Sequence, residues 1–283
     1  MSPGSGAPAE PDGTAELTAL RAEVEVLRAE VEVLRRRLDA WDRPKGVVQH
    51  GARFDAVYPA FQDRFRGSEA DVRARLQVYL PHVERVRTGR PVLDVGPGRG
   101  EWVGMLVEQG VPAYGVEAST EMVAALSARG LPVVHADAVT HLAGLAPGQL
   151  DAVSAVHVVE HLDLDTLLGL LAAARKALRP GGLLMLETPN PTNLVMAACN
   201  FRLDPTHLQP LPPGLTEFLV SAAGFRDVEV VPLHPKEPVD LQGLRVDGVP
   251  DGAAALLGQA LTKAFFGPQD YAVLAYAPAA DTG

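Results

Sequence analysis

The densest chemical signal in the chain is Val92-Leu93-Asp94-Val95-Gly96-Pro97-Gly98-Arg99-Gly100-Glu101, an apolar run that ends in glycines at alternate positions. A strand that turns into a helix through Gly96, Gly98 and Gly100 carries no Cβ atoms there, so its backbone can approach a ligand closely. The open N–H groups at the helix start favour a polar or anionic ligand group. About twenty residues on, Glu117 closes a second apolar run, Tyr114-Gly115-Val116-Glu117, where a carboxylate can accept both hydroxyls of a ribose. Asp137 closes a third, His135-Ala136-Asp137-Ala138. Neighbouring parallel strands deliver their C-terminal ends to one edge, so Gly96, Glu117 and Asp137 are expected along a bound nucleoside. Any one of these acids alone reads as an ordinary surface acid; their common register points to a ligand site. The spacing departs from the GxGxxG of nicotinamide sites, because Glu101 stands where the third glycine belongs.

Such residues need an alternating scaffold. From Val92 onward, short β-branched runs alternate with helical patterns, as in a βαβ series with a parallel sheet. The strands expected are 92–95, 113–117, 132–136, 151–157, 182–187, 226–232 and 271–277, and the helices 101–109, 119–129, 164–178, 214–223 and 252–265. The last helix falls in a late insertion, 234–270. Residues 50–90 form an aromatic, Arg-rich prelude, expected to be a helical cap with its C-terminal half the helical part. Upstream, RAEVEVL occurs twice in succession, at 21–27 and 28–34, and Leu17, Leu20, Val24, Leu27, Val31, Leu34 and Leu38 step by three and four. Valine at a and leucine at d favour a parallel two-stranded coiled coil, so residues 15–42 are read as a helix that makes a homodimer through 17–38. A single amphipathic helix packed on its own domain is the alternative. Residues 1–14 read as a disordered tail.

Composition narrows the class of function. The formal charge is −10, which disfavours nonspecific nucleic-acid binding, since phosphates need a basic face. Apolar residues make up 47% of the chain and charged residues 21%, the balance of an ordinary globular protein. One cysteine, Cys199, makes no internal disulfide and suits a reducing compartment. With no apolar run of membrane-spanning length and no signal-like start, a cytoplasmic location is expected.

The segment 92–190 resembles the class I S-adenosylmethionine (SAM)-dependent methyltransferases, through VLDVGPGRGEW, YGVEAS, HADAV, AVHVVEHL and LRPGGLLMLETPNP. The resemblance implies an α/β fold, a Rossmann-like seven-stranded sheet with helices on both faces. It also implies that Asp94 and the glycine loop hold the methionine part of SAM, that Glu117 with Ala118 takes the ribose, and that Asp137 with Ala138 meets the adenine. More narrowly, DRFRGS and RLQVYLP upstream, ETPNP, and the late LDPTHLQPL are similar to bacterial methyltransferases of polysaccharide and O-antigen assembly.

A methyl group on a sulfonium is already activated, so the protein must align the acceptor and, for a hydroxyl, remove its proton. His157, Glu160 and His161 lie where the fourth strand ends, and imidazole titrates near working pH. His161, in the EHL pattern, is the first candidate for general base; His157 lies deeper and reads equally as a packing residue. Asp204 and His207 are expected at the acceptor; Tyr58, with Phe61 and Phe65, reads first as a core or lid aromatic and secondarily as a platform for a sugar ring. Arg66 is the cation expected to meet a cofactor carboxylate or an acceptor phosphate. Glu160, His161, Asp204 and His207, with Glu187, also offer donors for Mg2+ or another hard divalent ion, although no spacing among them is diagnostic. The function expected is O-methylation of a sugar or glycan hydroxyl. A small natural-product hydroxyl, a glycan phosphate and a noncatalytic coiled-coil assembly protein that binds SAM are the alternatives. A nicotinamide oxidoreductase fits poorly, lacking both the third glycine and a Tyr-x-x-x-Lys pair.

Overall fold

The computed structural model describes residues 57–237, 248 and 251–279; the expected tail, the heptad helix and the start of the cap lie outside them. Seven strands form one sheet: β1 (Val92–Val95), β2 (Ala113–Glu117), β3 (Val133–His135), β4 (Leu150–Val156), β5 (Leu178–Pro189), β6 (Arg226–Pro235) and β7 (Pro268–Tyr276). Their spatial order is β3-β2-β1-β4-β5-β7-β6. Strands β1 to β5 pair in parallel, and β7 runs antiparallel to both β5 and β6. The expected seven-stranded Rossmann-like sheet is present, and it is mixed: parallel through β5 with an antiparallel β7. The chain leaves β6 at the carboxyl edge and re-enters β7 from that same edge, so no crossover restores the parallel direction.

The central strands are buried on both faces, as parallel strands between helices must be, and their alternation divides the core in two. Leu93, Val153 and Leu184 pack with Leu142, Leu171 and Val220 on one face. Val92, Ala152 and Met185 pack with Leu76, Trp102 and Leu106 on the other. Helices α1 (Tyr58–Phe65), α2 (Glu69–Leu76), α3 (Leu80–Val86) and α4 (Glu101–Glu108) precede or interleave the first strands, followed by α5 (Thr120–Ala128), α6 (Ala138–Gly144), α7 (Leu164–Ala177), α8 (Pro213–Ala222) and α9 (Asp251–Leu261). Among the described residues the prelude carries three α-helices, so its helical part reaches beyond the expected C-terminal half. Ser68 starts the second of them by accepting the Asp71 N–H at 3.1 Å. Helix α6 was not expected from the sequence: its seven residues bury only Leu142, too few to display a helical period. Among the described residues no helix is long and apolar enough to cross a membrane.

The turn from β1 to α4 is the tightest point. Gly96, Gly98 and Gly100 have φ of 60°, 55° and 84°, in the left-handed region. A Cβ on Gly100 would lie 2.4 Å from Leu131 Cδ1 and 2.6 Å from Leu126 Cδ2. Gly100→Ala combines this overlap with the φ penalty, so a loss of about 2 kcal/mol is expected. In a chain of this size that is a fall of about 4–8 °C in Tm, read by differential scanning calorimetry; an unchanged Tm would contradict the assigned packing.

Candidate active site

The glycine turn opens into a cavity of about 640 Å³ at the carboxyl edge of the sheet, walled by α1, α2 and the segments that follow β1, β4, β5 and β6. It lies where the strand order reverses between β1 and β4, the switch point at which open α/β sheets hold ligands. Asp94 is buried in its floor and accepts the Ser154 hydroxyl at 2.7 Å. Burial pushes its carboxyl up to about 7, against the opposing pull of Ser154 and Arg66. Arg66 lies so close over the turn that a Cβ on Gly98 would stand 2.5 Å from its Nη1. Glu117 adjoins the turn, its Oε1 accepting the Ser119 N–H at 2.8 Å, and burial raises its carboxyl against that bond. Asp137 closes the next strand, and its Oδ1 accepts the Thr140 N–H at 2.8 Å as the cap of α6. The three strand ends are neighbours, but Glu117, Ala118, Asp137 and Ala138 lie beyond the cavity's own lining. Tyr58 opens α1; its side chain is outside the described residues.

Beside Asp94 lies a cluster of imidazoles and carboxylates. His157 has φ of 54°, and its ring sits with Nδ1 3.3 Å from Glu160 Oε1 and Nε2 3.4 Å from Glu187 Oε1. Burial lowers its pKa, but Glu160 and Glu187 outweigh burial and push it up to about 10. The protonated ring is thereby favoured at His157, between the carboxylates of Glu160 and Glu187. Glu160 also receives the Thr188 hydroxyl at 2.9 Å; burial raises its carboxyl, yet His157 brings it down to about 2. Glu187, held by His157, His234 and the Tyr79 hydroxyl, is likewise kept well below the usual carboxylate range despite its burial.

His161 has a different environment. Thr206 Oγ1 lies 2.6 Å from its Nδ1 and 2.5 Å from Asp204 Oδ1, and the Thr206 N–H also donates to that oxygen, at 2.8 Å. A hydroxyl has one proton to give. Asp204 Oδ1 accepts it, which assigns the donor role toward Thr206 to His161 Nδ1 and leaves Nε2 its lone pair. Burial lowers the pKa of His161, opposed by Glu160 and reinforced by His207. His207 stacks edge-on to His161 at 4.7 Å and holds the Phe201 carbonyl through Nδ1 at 2.7 Å. The donors of Glu160, His161 and His207 come within 4.8 Å of one another, while Asp204 Oδ2 lies 4.0 Å from His207 Nε2. Most of these donors already hold hydrogen bonds, which leaves little room for the expected Mg2+.

Sequence reasoning missed Thr206, His234, Asp270, Gln62 and Gln269, all of which belong to this region. Gln62 Oε1, Trp102 Nε1 and Gln269 Oε1 are buried, make no hydrogen bond and sit on residues that line the cavity. Orphaned polar atoms of this kind mark where a polar ligand supplies the missing partners. Together with the bare glycine turn, they fit a nucleoside bearing an amino-acid tail.

Sheet order and glycine turn thus define a Rossmann-like nucleotide-binding protein. A SAM-dependent methyltransferase from Archaeoglobus fulgidus is 33% identical, with a TM-score of 0.70 over 77% of this chain and 99% of that one. A Thermotoga maritima SAM-dependent methyltransferase, described as a possible histamine N-methyltransferase, is 18% identical with a TM-score of 0.55, covering 79% and 98% of the two chains. The putative methyltransferase seen with the Trm112 activator of Haloferax volcanii is 14% identical with a TM-score of 0.56, covering 81% and 99%. The latter two share the fold. No protein of curated function matches. The methyltransferase-domain family matches residues 66–230, and the chain belongs to that family as a SAM-dependent methyltransferase.

Proposed function

We propose that the chain is an O-methyltransferase acting on a sugar or glycan hydroxyl, with His161 as general base. The observation that carries this reading is the Asp204–Thr206–His161 chain of hydrogen bonds, which fixes the imidazole tautomer and leaves Nε2 free to accept a proton at the cavity wall. SAM, when bound, supplies a methyl group already activated on a sulfonium. Asp94 and Arg66 would orient its amino-acid tail, the turn at Gly96, Gly98 and Gly100 would admit its backbone-facing side, and Glu117 with Ala118, then Asp137 with Ala138, would follow the ribose and adenine. Glu160 acts through its neighbours, holding His157 and facing His207. Asp204, His207 and Tyr58 would meet the acceptor.

A nitrogen acceptor commonly uses an Asn/Asp-Pro-Pro-Tyr pocket after the fourth strand; here that position reads Ala155-Val156-His157-Val158, which favours oxygen. A natural-product hydroxyl or a glycan phosphate would use the same base or Arg66. Mg2+ stays outside this reading, because its expected donors are engaged with Thr206, Phe201, Thr188 and His157. The heptads at 17–38 add a parallel homodimer, and a cytoplasmic location accompanies the single cysteine. The test is methyl transfer from labelled SAM to a panel of saccharides, read by mass spectrometry. One methyl increment on a hydroxyl is expected; turnover confined to amines would sink the reading.

A further inference from the structure

Strand β7 opens with a carboxylate that the fold does not use. Asp270, its third residue, lines the cavity with a side chain only 9% exposed. Among the described residues no N–H or O–H donates to it; His157 Nε2 stands 4.0 Å from its Oδ1, beyond hydrogen-bond length. That imidazole lies closer to Glu160 and Glu187, at 3.3 and 3.4 Å. The other two buried carboxylates are held: Glu187 accepts the Tyr79 hydroxyl and Glu160 that of Thr188. Burial pushes the Asp270 carboxyl up, and Glu187 and Glu160 add to that shift against His157 and His234.

A buried carboxyl that bonds nothing in the protein has its partner in the cavity it lines. That partner is not the tail of the methyl donor. Strands β4 and β5 separate β7 from β1, so β7 lies three strand spacings, about 14 Å, from the strand that carries Asp94 and the glycine turn. What remains in the cavity is the acceptor. The oxygens of a carboxylate accept hydrogen bonds, so the matching group on the acceptor is one that donates. A site built to bond a substrate hydroxyl rejects the analogue that lacks it far more sharply than an apolar pocket does, because the buried partner is then left bare.

We infer that Asp270 binds a second hydroxyl of the acceptor, distinct from the one that is methylated, and so determines which sugars are accepted. The inference rests on the O-methyltransferase reading for the class of acceptor, and it is independent of His161 as the base.

The test crosses a change in the protein with a change in the acceptor. Whichever acceptor of the panel is methylated is compared with analogues that each lack one other hydroxyl. Asp270→Ala is expected to lower kcat/KM for the full acceptor at least about 10²-fold. For one deoxy analogue, already poor with the wild type, the same substitution is expected to change kcat/KM by less than about twofold, because the interaction is lost only once. Asp270→Asn keeps an accepting oxygen and is expected to fall between, and SAM affinity by calorimetry is expected to stay within about twofold in both variants. A residue that only supports the fold lowers turnover of every acceptor alike, so a uniform loss overturns the inference, as does wild-type kcat/KM in Asp270→Ala. Melting gives a readout that needs no acceptor. Asp270→Asn is expected to melt no lower than the wild type at pH 8, since the carboxyl it replaces has no hydrogen bond to lose; a lower Tm overturns the inference. Turnover confined to amines defeats the hydroxyl reading alone: the same cross, run with the methylated amine and its deoxy analogues, then decides Asp270.

Discussion

His161→Ala is expected to lower kcat about 10²- to 10⁴-fold while leaving SAM affinity within about twofold, the signature of a lost general base. The variant removes a ring whose Nδ1 is held by Thr206 and whose Nε2 carries no proton. Burial keeps the imidazole of His161 below its ordinary pKa of 6.5, so it is neutral at working pH. The base must be unprotonated to act. Activity therefore rises with pH through the pKa of His161, and the acid limb of the kcat profile falls below pH 6.5. His161→Ala abolishes that limb. Steady-state kinetics with whichever acceptor of the panel is methylated and calorimetry with SAM check both parts, and full turnover in the variant places the base elsewhere.

Asp94→Asn is expected to separate stability from function. In the cofactor-free protein the buried carboxyl holds its proton up to about 7, against an ordinary 3.8. Between those values the folded chain binds a proton that the unfolded chain has lost, so stability falls as pH rises across the window and is flat above it. The ionised form then costs of order 4 kcal/mol at pH 8. Asparagine accepts the Ser154 hydroxyl without that cost, so the variant is expected to melt higher than the wild type at pH 8 and to lose the advantage by pH 4. Its SAM affinity is expected to drop about 10²-fold on the proposed role of Asp94 as the charged partner of the cofactor's amino-acid tail. Melting at both pH values and SAM titration read the two effects; a lower Tm at pH 8 would contradict the burial argument.

How far sequence reasoning reached follows the sheet. The strands 92–95 and 113–117 fall on β1 and β2 to the residue, because each is a short apolar run ended by glycine or an acid. Gly96, Asp94 and Glu117 are local features of those runs, so the donor side was readable from spacing. The opposite wall was not. Asp270 pairs with Pro189 and Leu233 across the antiparallel β7, and only that reversal brings the start of β7 to the edge where parallel strands end. An all-parallel sheet would have put Asp270 at the far edge, away from Glu187. Thr206 was hidden for another reason: a threonine in a Pro-rich turn carries no periodic signal, and its meaning appears only when His161 is found 2.6 Å away. Of the carboxylates around His157, Glu187 and Asp270 likewise come from separate strands, and no spacing along the chain announces that they meet it.

The reversed seventh strand has an evolutionary corollary. Gly96, Asp94 and Glu117 are delivered by the first two strands, whereas His234, Gln269 and Asp270 are delivered by the last two, from 117 residues or more further along the chain in the case of His234 relative to Glu117. Substitutions in the last two strands can thus reshape one wall of the cavity without touching the glycine turn and the carboxylates that the first two strands deliver, so one wall is free to vary while the other is kept.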